Sequence, residues 1–290
     1  MSNDHAGDAP PRLVVPAPAK LNLFLHVTGR RPDGYHELES LFVAIDLCDR
    51  VLLERRADGR IVRTRDLPGV RERDDLTVRA ARALQERSHV RFGVSIALDK
   101  RIPMGGGLGG GSSDAASVLL GLNRLWQLGW SRRDLAAIAV TLGADVPFFL
   151  QGGPALARGI GEVLAPISVP RYWIALVVPP VAVATAAIFA APELTRSTPS
   201  AKMSVFAECF GRNDLQPVAA ARFPAVAKAL AALAQHHGGA RMSGSGSSVF
   251  APFRSRDEAQ RAVASTLARV PEARGVVTRI IAEHPLASFA

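Results

Sequence analysis

Residues 103–116, Pro-Met-Gly-Gly-Gly-Leu-Gly-Gly-Gly-Ser-Ser-Asp-Ala-Ala, constrain this chain more than any other stretch. Six of the seven residues from Gly105 to Gly111 are glycine, the residue that loses most conformational freedom on folding and takes positive φ without steric penalty. A run so costly to order persists where backbone has to pass close to a ligand. Upstream, Val94 to Leu98 alternates as a strand. Downstream, Ser112, Ser113 and Asp114 open the apolar period of a helix through Ala115, Val118, Leu119, Leu122 and Trp126, with Ser112 or Ser113 as its N-cap. Strand, glycine loop and helix N-terminus together point N–H groups and the positive end of a helix dipole at an anion. The segment reads as a phosphate cradle.

Two other glycine motifs fail here. Gly105, Gly107 and Gly110 satisfy the G-x-G-x-x-G dinucleotide pattern, which also wants an acidic residue about 20 residues on. The chain there reads Leu-Gly-Trp-Ser-Arg-Arg over 128–133. A Walker loop needs Lys directly before the Ser, where Gly111 stands. A flexible Gly/Ser linker is a poor match for a segment wedged between an apolar strand and an apolar helix.

With 290 residues, 48% hydrophobic and 21% charged, the chain is globular, of one large or two ordinary domains. No run approaches about 18 uncharged apolar residues. Met1 to Arg12 is polar and reads as a disordered tail rather than a signal peptide. Cys48 and Cys209 have neither metal nor redox spacing and read as reduced, buried thiols of a cytoplasmic protein. The net charge of +9 suggests nucleic acid, but 31 of the 35 basic residues are scattered arginines. Their densest cluster, Arg55 to Arg73, is interleaved with Asp58, Asp66 and Glu72 and lacks aromatics. Attraction for polyanionic small substrates is the expected meaning of the charge.

In chain order, a short strand at 13–15 and two prolines precede Leu21, Leu23 and Leu25, which alternate with Asn22 and Phe24 as a strand with one wet side. Period two places Lys20, one of only four lysines, on the same face as Asn22; a snorkelling edge lysine is the competing reading. Thr28 to His36 is a turn centred on Pro32-Asp33-Gly34 that presents Tyr35 and His36 as the chain re-enters a strand over 37–45. Strands at 51–53 and 61–63 and a helix over 76–86 precede the loop. After the loop helix, Ser131 and Asp134 open a helix that ends at Gly143. Asp145 follows in an apolar stretch, where it is either a cap before Pro147 or a carboxylate that needs a partner. Beyond come a strand over 172–178 and a helix over 185–190, with Thr185 and Phe189 on one face. A helix over 224–235, a second glycine loop over 240–250, a helix over 256–269 and a strand over 275–281 close the chain.

Pro103 to Ser113 resembles the phosphate loop of the GHMP kinase superfamily. Pro18-Ala19-Lys20-Leu21-Asn22-Leu23, Gly34-Tyr35-His36, the 143–148 segment Gly-Ala-Asp-Val-Pro-Phe and the second glycine loop resemble its other segments in order. They are most similar to the branch that serves non-mevalonate isoprenoid synthesis, whose alcohol substrate carries a cytidine diphosphate. The resemblance implies an α+β fold of two domains after a tail at 1–11. These are a β-rich N-terminal α/β domain over 12–165 and a C-terminal ferredoxin-like α/β sandwich over 166–290, with the active site between them. It also implies a left-handed crossover leading into the loop.

The implied activity is ATP-dependent phosphorylation of a hydroxyl, with Asp145 as general base and Lys20 as its electrostatic partner. ATP would be held by Lys100, Pro103, Met104, Gly105, Gly106, Gly107, Leu108, Gly109, Gly110, Gly111, Ser112 and Ser113. Asn22, Tyr35, His36, Thr185 and Phe189 would hold the alcohol substrate, with cytosine between Tyr35 and Phe189 and its edge on His36. Mg²⁺ is expected with ATP, and Ser113 is the one hydroxyl named for it. Asp75 stands where the family usually has an adenine-proximal Asn, and can cap the helix at 76. A homoserine- or mevalonate-type GHMP kinase would keep the glycine loops and lack the Gly34–His36 segment and Phe189. A basic nucleic-acid-binding protein is the alternative that charge alone suggests. Small-molecule substrates are the expected partners, with no nucleic acid and no membrane.

Overall fold

The computed structural model describes residues 10–200 and 211–290. Residues 1–9 of the expected tail, and Cys209, lie outside the described residues.

Two long strands, β1 (Arg12–Arg30) and β2 (His36–Arg56), pair antiparallel from Arg12 opposite Glu54 to Arg30 opposite His36. The short strands expected at 13–15 and 51–53 are parts of this hairpin. Pro16 and Pro18 do not break it, because β1 forms its ladder with β2 alone among the described strands and a register shift follows Pro18. An edge or a bulge is where a missing N–H is tolerated. The predicted turn at Pro32-Asp33-Gly34 closes the hairpin, with Gly34 at φ +90°. The expected wet side is absent over the described β1 residues from Ala19 to Val27, which are all buried. Leu21 and Leu23 pack with Ile174, Leu176 and Phe250 of the second half of the chain, while on the other face Asn22 is covered by Ser40 and Lys20 by Phe42 and Asp145, so tertiary packing buries both sides of the strand.

On the far side of β2 lie β4 (Gly93–Asp99), antiparallel to it, and β3 (Ile61–Arg63), parallel to β4. They are joined by α1 (Leu76–Ser88), whose first turn is capped by Asp75 accepting from Thr77 N. Next, α2 (Gly110–Leu125) starts earlier than expected: its N-cap is Gly109 at φ +69°, with no side-chain cap, so Ser112 and Ser113 fall within the first turn. The capping box of α3 (Arg132–Leu142) is formed by Ser131 and Asp134 as predicted. Then come α4 (Val146–Gln151), β5 (Ala155–Gly159) against β2, and β6 (Val163–Pro166) against β5. Helices α1, α2 and α4 bury their apolar faces against the sheet through Leu84, Leu119, Leu122, Phe148 and Phe149, and α3 packs on these helices.

The rest of the chain is β7 (Trp173–Val178), α5 (Thr185–Phe189), α6 (Gln216–Arg222), α7 (Pro224–Ala234), β8 (Arg241–Met242), β9 (Val249–Phe253), α8 (Arg256–Arg269) and β10 (Arg274–Ile281). Helix α6 is not foreseen by the periodicity. The strand order β10-β7-β9-β8, antiparallel throughout, is that of a ferredoxin-like sandwich. Strand β10 also pairs with β2, Ile280 opposite Ile45 and Ile281 opposite Ala44, so a single sheet runs through both halves. Cys48 is half-buried rather than buried, and burial pushes its thiol up to about 11. Among the described residues no single helix is long and apolar enough to cross a membrane.

Candidate active site

The glycine loop is held from two directions. Lys20 N donates to Leu108 O at 2.9 Å from β1, and Ser248 N donates to Gly106 O at 3.1 Å from the second glycine loop. Ser243 Oγ links all three segments, donating to Gly107 O at 3.1 Å and accepting from Asn22 N at 3.2 Å. Two glycines are dictated by this closeness. At Gly107, φ +73°, a Cβ would lie 2.3 Å from Ser243 O; at Gly109, φ +69°, it would lie 2.9 Å from Lys20 Cγ. The second loop is itself fixed by Asn213, whose Nδ2 donates to Met242 O and Gly244 O at 2.8 Å each.

Above the loop opens a cleft of about 650 Å³. Pro103 to Ser112 line it continuously, together with Lys100, and the N-terminus of α2 points into it. Ser113 does not line it: its side chain is wholly buried, and its hydroxyl has no hydrogen-bond partner among the described residues. One residue along a helix is a rotation of about 100°, so Ser112 takes the cleft side and Ser113 the core side.

Lys20 and Asp145 meet in this cleft. Lys20 Nζ lies 3.5 Å from Asp145 Oδ2, donates to Asn22 Oδ1 at 2.7 Å and sits 4.6 Å from the centroid of the Phe42 ring. Its side chain is 6% exposed and that of Asp145 32%, so this lysine does not snorkel and the carboxylate keeps an open side. Asp145 stands at the N-cap of α4 but makes no side-chain cap bond. The capping reading is therefore set aside and the partnered-carboxylate reading kept. Asn22 is oriented in turn by Ser40, accepting rather than competing: Asn22 Nδ2 donates to Ser40 Oγ at 2.9 Å, and Ser40 Oγ donates to Phe24 O at 2.6 Å.

At the far end of the cleft stand Thr185, 2.7 Å from Ser245 Oγ, and Phe189. Tyr35 does not line the cleft. It is 61% exposed at the hairpin tip, and His36 takes the ring face instead, with centroids 5.0 Å apart and planes 29° apart. Arg196 Nε donates to His36 Nε2 at 3.1 Å, and its Nη2 donates to Phe189 O at 3.0 Å. Because guanidinium only donates, His36 carries its proton on Nδ1. Burial, aided by Arg196 and Arg30, holds its pKa below the ordinary histidine value.

Two charged clusters were not legible in the sequence. Asp75 does cap α1, and it also pairs with Arg63 Nη1 at 3.1 Å, deep in the wall that carries Leu67, Val70 and Leu76. Lys100 lines the cleft, but its ammonium is engaged by Asp49 and Asp114. No local pattern announces Asp49 or Asp114. Each looks in sequence like a solvated residue.

Residues 75–153 match the family model of the GHMP kinases N terminal domain, and residues 200–269 that of the GHMP kinases C terminal domain. A 4-diphosphocytidyl-2-C-methyl-D-erythritol kinase of Thiobacillus denitrificans is 57% identical over 275 residues, covering 94% of this chain and 97% of its own. One of Cupriavidus taiwanensis is 51% identical over 296 residues, covering 100% of both. Among solved structures, a 4-(cytidine 5'-diphospho)-2C-methyl-D-erythritol kinase superposes with TM-score 0.79 at 37% identity, over 92% of this chain and 99% of that one. A homoserine kinase from Cytophaga hutchinsonii reaches TM-score 0.72 at 18% identity over 98% of each chain, a likeness of fold alone.

Proposed function

The chain belongs to the 4-diphosphocytidyl-2-C-methyl-D-erythritol kinase family of GHMP kinases, and from that membership we propose that its cleft transfers the γ-phosphoryl group of ATP to the 2-hydroxyl of 4-diphosphocytidyl-2-C-methyl-D-erythritol. The observation that carries the mechanism is the Lys20–Asp145 pair, 3.5 Å apart beside the glycine loop. Phosphoryl transfer asks a protein for positioning, charge stabilisation and a carboxylate to take the hydroxyl proton. Asp145 Oδ takes that proton. Lys20 is its electrostatic partner and faces the negative charge that gathers on the transferring group. The N–H groups of the glycine loop and of the α2 N-terminus hold the triphosphate.

Mg²⁺ neutralises phosphate charge when it accompanies ATP. Among the described residues no three His, Cys, Asp or Glu side chains cluster as a metal site. The cleft-facing hydroxyl of Ser112, rather than the buried one of Ser113, would be available to hold the ion.

The cytosine of the acceptor stacks on the face of Phe189 that His36 leaves open, with the hairpin tip at its rim. Stacking contributes about 1–3 kcal/mol per aromatic removed. Phe189→Ala should therefore raise the acceptor KM roughly 5- to 150-fold with little change in the KM for ATP. Stacking tolerates any base, so the preference for cytosine over uracil falls to His36 and should erode in His36→Ala. Competition between CDP- and UDP-alcohol analogues measures it, and an undiminished cytosine preference removes His36 from recognition. The whole assignment is tested by ATP consumption against a panel of alcohols that includes CDP-methylerythritol, homoserine and mevalonate. Turnover of either of the latter two in place of the first would overturn it.

A further inference from the structure

A buried cluster beneath the glycine loop takes no part in the chemistry above. Asp49, in β2, is fully buried; its Oδ1 accepts the N–H groups of Arg101 and Ile102 at 2.5 and 2.8 Å, and its Oδ2 accepts from Lys100 Nζ. The same ammonium donates to Asp114 Oδ2 at 2.6 Å from the first turns of α2. The glycine loop spans the interval between these two attachments. Its strand-side foot is bonded to Asp49, its helix-side foot to Lys100, and the Asp49–Lys100 bond joins the two. Gly110 leaves the passage for the ammonium, since a Cβ there would stand 3.3 Å from Nζ. Two carboxylates around one ammonium are a poor device for stability alone, because buried ion pairs seldom outperform apolar replacements.

We infer that Asp49, Lys100 and Asp114 form a clamp that holds both feet of the glycine loop in its triphosphate-binding conformation, making them positioning residues for ATP. The inference rests on the loop being the nucleotide cradle. The clamp also fixes the local charge. Asp114 Oδ1 is buried with no hydrogen-bond partner among the described residues, and the Asp49 carboxylate stands on the other side of the shared ammonium. Burial pushes Asp114 up to about 7 against the pull of the Lys100 ammonium, while the two carboxylates outweigh burial at Lys100 and hold its pKa above the ordinary lysine value. Deprotonation of Asp114 adds one negative charge beneath the loop, which opposes an anionic nucleotide more above that pH than below it. The other charged groups around it are paired or turned away: Arg63 with Asp75, Arg101 with Asp99, Lys20 with Asp145, and Arg79 and Arg82 of α1 exposed.

The test is the KM for MgATP and for the acceptor in Lys100→Met, Asp49→Ala and the double variant. Each single change should raise the ATP KM about tenfold or more and leave the acceptor KM within about twofold, and the double should be no worse than the poorer single. A folded Asp49→Ala enzyme with a wild-type ATP KM overturns the clamp. So does an additive loss in the double, which would make Lys100 a direct nucleotide contact. Where Lys100→Met does not fold, Asp114→Asn decides, because it keeps the shape and the acceptor oxygen. The wild-type ATP KM should rise between about pH 6 and 8.5 and that of Asp114→Asn should not; parallel profiles overturn the inference. Gly107→Ala separates the two levels. If it raises the ATP KM and Asp49→Ala does not, only the clamp is lost. If Gly107→Ala has no effect either, the loop is not the cradle.

Discussion

Asp145→Asn should lower kcat by about 10²- to 10⁴-fold, the usual contribution of a positioned general base, and kcat/KM should fall with it. A proton is taken only on the way to the transition state, so the loss belongs in both parameters and not in substrate affinity. The fold should survive. Asp145 makes no cap bond in α4 and keeps about a third of its side chain exposed, and asparagine keeps its shape and an acceptor oxygen toward Lys20, which also donates to Asn22. Lys20→Met should lose turnover comparably. Its apolar stem fits the space beside Phe42 and Gly109, while the cation beside Asp145 disappears. Steady-state kinetics with CDP-methylerythritol, alongside thermal unfolding, checks both. A stable Asp145→Asn enzyme with kcat within about tenfold of wild type would remove Asp145 from the base assignment.

Gly107→Ala should raise the ATP KM about 30-fold or more, the equivalent of ~2 kcal/mol. The left-handed backbone alone carries roughly 1–2 kcal/mol of that for an L-residue. The rest comes from a Cβ 2.3 Å from Ser243 O, a backbone atom that cannot swing aside. To make room, the two glycine loops must part, which also breaks the Ser243–Gly107 hydrogen bond at the phosphate site. Gly129→Ala is the control. It has φ +67° and nothing within 4 Å of its would-be Cβ, so it bears the conformational cost without the collision and should leave the ATP KM unchanged. Isothermal titration with a non-hydrolysable ATP analogue reads the difference. Equal ATP affinities for the two variants would mean that loop geometry does not govern nucleotide binding.

Much of the site is legible from local pattern because its chemistry is local. Glycine density marks where backbone nears a ligand. Period two places Lys20 and Asn22 on one face, and the structure returns them hydrogen-bonded at 2.7 Å. Asp75 caps α1, and Ser131 with Asp134 boxes α3, because those bonds close within three residues. What failed locally failed for local reasons too. Ser112 and Ser113 are good caps, yet Gly109 can turn into α2 from a left-handed conformation that no serine adopts cheaply, so the helix begins before them.

The sequence by itself determined the phosphate cradle, the helix boundaries set by short-range caps, and the pairing of lysine and asparagine across a pleat. Only the tertiary structure decided which polar residues are buried and against whom. Asp49 and Asp114 stand 65 positions apart and share one ammonium because β2 and α2 pack around Lys100. His36 lies on Phe189 because Arg196 ties both to one guanidinium. Asn213 holds a loop about 30 residues away because α6 starts under it. Periodicity reports which face a side chain takes on its own strand or helix. It carries no information on which distant element covers that face, and for an ionisable group the covering element sets whether the charge is solvated, paired or forced to share a proton.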